Sequence, residues 1–203
     1  MSALDGKTAR LVRLFAAMVA FDSDALRRIR REAPAGEPDR AWREVVLMAH
    51  LFCGFPRTLS ALAVLQGEGG LGAASPDAES AEMESDVDPA RGVAFFERIY
   101  GDGTDAVRGS LRDYHPELEA WVLEHAYARV LARPGLDAAA RELCAVAALA
   151  IQGHDRQLAS HVRGAVRCGA TADQVRAVID LCEEWIDGEH LERARSVVER
   201  FVR

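Results

Sequence analysis

With 203 residues, 49% hydrophobic and 6% aromatic, the chain can bury a sizeable core in one domain or two small ones. Its net charge is −7. From Gln66 to Ala90 lie Glu68, Asp77, Glu79, Glu82, Glu84, Asp86 and Asp88 with no Lys or Arg, which equals the whole excess of 32 acidic over 25 basic residues. The rest is charge-balanced and shows no basic stripe, so nucleic acid is excluded as an expected partner. The longest apolar run, Leu143 to Ile151, is far shorter than a bilayer span, and Met1–Arg10 lacks the basic-then-apolar pattern of an export signal. No membrane contact is expected, and the expected location is cytoplasmic.

Helical periodicity runs through most of the chain, and no alternating strand pattern occurs. The first stripe is Leu11, Phe15, Met18 and Val19; the second is Leu26, Ile29 and Ala33. A third, Trp42, Val45, Val46, Ala49, His50 and Cys53, is expected to end at Gly54-Phe55-Pro56, where Gly can cap and Pro cannot continue. Leu59, Leu62, Ala63 and Leu65 form a fourth. Residues 67–90, rich in Gly, Ala, Ser, Pro and acids, read as an acidic flexible linker. Helices resume at Val93–Tyr100, Val107–Leu111 and Leu118–Val130, the last stopped by Pro134-Gly135. Asp137 is placed to N-cap a helix through Ile151 that is apolar nearly all round and therefore expected to be central. Gln157–Val166 is the next helix. Thr171-Ala-Asp-Gln174 is a capping box opening another, and Leu191–Phe201 closes the chain.

Glu142 sits near the start of the most apolar helix, where a carboxylate is costly unless paired or functional. His161 shares the apolar face of the following helix with Leu158 and Ala165. The two residues stand at matching distances from the turn at His154-Asp155-Arg156-Gln157, so their side chains are expected within hydrogen-bond reach, directly or through one water. A carboxylate and an imidazole meeting in an apolar wall form a proton-transfer arrangement; the same pair can also serve only to lock helix packing. His154, at the turn, is a further candidate. His50 and His125, on apolar faces, read as core histidines, whereas His115 and His190 read as surface residues. Cys53, Cys144, Cys168 and Cys182 form no CxxC pair and no zinc spacing. They read as buried small hydrophobes, and neither a metal nor a cofactor is expected.

Arg141-Glu142-Leu143, the run Ala145 to Ile151, Gln157-Leu158 and His161-Val162 resemble the core motif of the carboxymuconolactone decarboxylase family. The flanks agree: Tyr127 through Arg133-Pro134-Gly135-Leu136 before it, Gly169-Ala170-Thr171 after it. Trp42-Arg43-Glu44-Val45 through Gly54-Phe55-Pro56 resembles a second, degenerate copy. The resemblance implies an all-α bundle of two tandem repeats, of the kind shared with alkylhydroperoxidase D: residues 1–66 degenerate, 67–90 linker, 91–203 carrying the chemistry. Each repeat holds what the other lacks, which suggests one composite site per chain.

For function, the resemblance implies a cofactor-free lyase acting on a small carboxylated lactone. Glu142, His161 and His154 would be catalytic, and Arg141, Arg133 and Gln157 would bind substrate. The alkylhydroperoxidase D alternative places its two cysteines at His154 and Gln157, so a dithiol peroxidase is disfavoured. A non-catalytic scaffold or small-ligand binder is the rival from another class. Self-association as a trimer, or else a dimer, is expected from the family and from the excess of apolar helix faces.

Overall fold

The computed structural model describes residues 3–72 and 88–202, and among these every regular element is a helix. The chain forms two compact units, one from residues 1–72 with 135–203 and one from residues 73–134. These units are cut differently from the sequence repeats: the first half packs with residues 135–202, and residues 88–134 form a body of their own. Residues 73–87, most of the expected linker, lie outside the described residues.

In the larger unit, α1 (Gly6–Ala20) is N-capped by Asp5 and closed by Phe21 in the left-handed region, φ 57°. Asp22 caps α2 (Ser23–Arg31) and Asp39 caps α3 (Arg40–Gly67). α3 is two helices joined at a break, because Gly54 stands at φ 74°, ψ 162°, a conformation open to glycine almost alone. Pro56 then falls at the start of the second half, where its missing N–H costs nothing. Gly-Phe-Pro therefore ends one helix and begins another, as the sequence predicts. By length and composition α3 could cross a bilayer. Its first half instead packs into the unit through Trp42, Val45, Met48 and Ala49, all buried.

α7 (Ala138–Ile151), N-capped by Asp137, is the centre: every residue from Ala140 to Ala150 is buried. α1, α3, α8 (Asp155–Arg167), α9 (Ala172–Leu181) and α10 (Gly188–Phe201) all pack against it. The capping box at Thr171 and Gln174 is formed in full. The start of the acidic run is held down: Arg31 forks onto Glu68, Arg30 Nε donates to the Gly70 carbonyl, and Arg43 donates to Leu71.

The smaller unit holds α4 (Pro89–Tyr100), α5 (Thr104–Tyr114) and α6 (Leu118–Trp121), which continues as a π-helix over Val122–Leu131. α4 and the π-helix pack through Phe96, Tyr100 and Tyr127, with Phe96 and Tyr127 ring centroids 4.7 Å apart. Gly92 allows this approach, since a Cβ there would meet Ala128 Cβ at 2.6 Å and the Leu123 carbonyl at 2.7 Å. The sequence predicts an ordinary α-helix here with His125 in the core; the wider turn sets His125 on the exposed side.

Candidate active site

α7 and α8 are successive helices turned back at Gln152-Gly153-His154, where Gly153 takes φ 68°. That hairpin brings Glu142 and His161 together: His161 Nδ1 lies 2.9 Å from Glu142 Oε2. Glu142 is fully buried, and the His161 side chain is 10% exposed. An ionised carboxylate only accepts, so Nδ1 carries the hydrogen and Nε2 is the nitrogen left for chemistry. Glu142 Oε1 is buried and accepts no hydrogen bond within the described residues.

The apolar wall beside the imidazole comes from the first half of the chain. The Phe52 ring meets His161 edge-on at 6.3 Å, and Phe15 from α1 meets Phe52 at 5.4 Å. Gln152 Nε2 donates to the Phe52 carbonyl at 2.7 Å, fixing the last turn before the Gly54 break against the α7–α8 turn. The sequence alone does not single out Phe52 as a site residue. Its signal was its place two residues before Gly54, with nothing local to say which histidine it would face.

Of the other residues expected at the site, His154 and Gln157 are exposed at the start of α8, seven and four residues before His161 on its helix side. Arg141 does not join them. It is wholly buried, and its Nη2 donates to Glu44 Oε2 at 2.9 Å, itself buried on α3. A guanidinium so enclosed ties α3 to α7 and is out of reach of a substrate's carboxylate. Arg133 lies half-buried in the smaller unit, just after its π-helix.

The thiols do not offer peroxidase chemistry. Burial holds the Cys144 thiol far above its ordinary range and pushes Cys182 up to about 12. Neither supplies a thiolate at neutral pH. All four cysteines are free, and Cys53 is half-buried, donating to the Ala49 carbonyl at 3.3 Å. Among the described residues no cluster of His, Cys, Asp and Glu is arranged to hold a metal ion.

The profile of the carboxymuconolactone decarboxylase family matches residues 116–200, which include Glu142, His154, Gln157 and His161. Peroxisomal protein 2 of Schizosaccharomyces pombe is 30% identical over 144 residues, covering 70% of this chain and 67% of that protein. Peroxisomal protein 2 of Saccharomyces cerevisiae is 26% identical over 172 residues, covering 71% of this chain and 61% of that protein. The chain thus spans about two thirds of the length of these relatives, and it belongs to the carboxymuconolactone decarboxylase family.

Proposed function

We propose that the protein is a cofactor-free decarboxylase of a small carboxylated, unsaturated lactone or a related acid. The observation that carries this reading is the buried Glu142–His161 pair, with Nε2 left unclaimed among the described residues beside an apolar wall. In the reaction, the bond to the carboxylate breaks and carbon dioxide leaves. The electron pair moves into the conjugated ring carbonyl, so the substrate itself absorbs the charge. His161, as the imidazolium, then delivers the proton from Nε2 to the ring carbon next to the carbonyl, so that the double bond shifts to the carbon that lost carbon dioxide, and Glu142 steadies the imidazolium through Nδ1. Solvent restores the proton. His154 and Gln157 are the polar groups of α8 available to the substrate's anionic end. Phe52 and Phe15 keep water from the ring.

The test is release of carbon dioxide from carboxymuconolactone by the purified chain treated with a chelator. Turnover is expected in the wild type and is expected to fall by about 10²-fold or more in His161→Gln, the range of a lost general acid. A wild type without turnover would instead favour a scaffold or binder that keeps the fold alone.

Two tandem repeats with one composite site account for Phe52 meeting His161 from the opposite half of the sequence. The four free thiols fit a reducing interior, which the cytoplasm and the peroxisome both provide. The relatives' names speak for the peroxisome, against the cytoplasm expected from the sequence. Co-localisation of a tagged chain with a peroxisomal marker separates the two.

A further inference from the structure

We propose that the outer side of the π-helix at Val122–Leu131 binds a small zwitterion with an apolar body, an amino acid with an apolar or aromatic side chain. The indole of Trp121, at the head of this helix, is 68% exposed, which for so large an apolar group is a cost that a ligand would relieve. Two hollows share the indole. One, of about 220 Å³, is walled by Leu118, Trp121, His115 and Glu117, with almost all of its surface apolar; the other, of about 340 Å³, by Trp121, Glu124, His125 and Arg129.

The charges in the larger hollow give the ligand class. Neither the Arg129 guanidinium nor the Glu124 carboxylate has a hydrogen bond or ion pair among the described residues. They are five residues apart, a little more than one turn of a helix bonded i to i+5, and no ion pair joins them. A cation and an anion held apart on one side of a hollow match a carboxylate and an ammonium carried by a single small molecule. The indole between the two hollows offers its face to the ammonium or to an aromatic side chain, and the Leu118 hollow takes the apolar body.

The frame behind this face is fixed. Tyr127, Ala128, Val130 and Leu131 are buried on the reverse of the helix, and the close approach at Gly92 holds it against α4. The site is therefore formed before a ligand arrives, as small-molecule sites usually are. It does not rest on the proposed decarboxylation.

The experiment is a titration of the full chain with L-phenylalanine, read by tryptophan fluorescence. Trp42 is wholly buried and the Trp185 indole donates to Asp22, so the change reports Trp121. A saturable change is expected in the wild type and none in Trp121→Phe. Arg129→Gln and Glu124→Gln are each expected to weaken binding about tenfold or more, as are N-acetyl-L-phenylalanine and L-phenylalanine amide, which lack one charge each. All substituted positions are exposed, so folding is not in question. The absence of a saturable change would overturn the proposal, as would variants or analogues that bind as well as the parents.

Discussion

Glu142 is wholly buried, yet one of its two oxygens accepts nothing among the described residues, an arrangement that costs about 1–3 kcal/mol relative to a satisfied group. A structural lock would be served as well by an amide, which gives the central residue test. Glu142→Gln keeps the shape and can still accept from His161 Nδ1, but it no longer steadies the imidazolium. We expect kcat to fall by about 10²-fold with KM and Tm nearly unchanged, measured by steady-state kinetics and thermal melting. At the thiols the sign is equally definite. Native Cys144 and Cys182 stay protonated and should not react with a thiol reagent at pH 8 until the chain is unfolded. Because the folded Cys182 thiol titrates near 12 against an ordinary 9.0, its contribution to stability is complete below 9 and is lost as pH rises through 12. Denaturant melts at pH 8 and pH 11 should show this loss, reduced in Cys182→Ala.

Two glycines set the element scale. Gly54→Ala meets no close neighbour except Pro56 Cδ at 3.7 Å, so its cost is conformational, about 1–3 kcal/mol, and it should also move Phe52 away from His161. Gly92→Ala should destabilise the smaller unit by about 1–3 kcal/mol through contact with helix backbone that cannot yield. Chemical denaturation measures both. The Glu142–His161 contact was legible in the sequence because it needs only two consecutive helices and one turn, so spacing fixes it. The Gly54 break was legible because Gly and Pro act locally. The widened helix was not, since at 3.6 residues per turn Leu118, Trp121, Val122 and His125 share a face, and only the packing at Gly92 selects the other register. Phe52 and the Arg141–Glu44 pair also escaped, because each joins positions about a hundred residues apart. A buried arginine beside a glutamate motif looks like a substrate ligand until its partner on α3 is seen.

Across the whole molecule, that pair staples the first half of the chain to the last. Breaking it one-sidedly by Glu44→Ala leaves a buried guanidinium without this carboxylate and should cost about 3–5 kcal/mol, while Glu44→Leu with Arg141→Met should recover much of the loss in denaturant melts. Residues 1–72 and 135–203 should then lose structure in one transition, being one body. Self-association remains our proposal at this scale. Leu47, Phe55 and Leu59 stand exposed along α3 and favour it. A chain of 22.1 kDa should scatter light as about 66 kDa for a trimer or about 44 kDa for a dimer, and a 22.1 kDa particle would end that proposal. The central claim is that His161, steadied by Glu142, delivers a proton from an enclosed site. Its most direct measurement is turnover of carboxymuconolactone in heavy water, followed by NMR of the product. The account predicts one deuterium on a single face of the ring carbon next to the carbonyl, and loss of this turnover in His161→Gln. Label on both faces, or a His161→Gln variant as fast as the wild type, would contradict it.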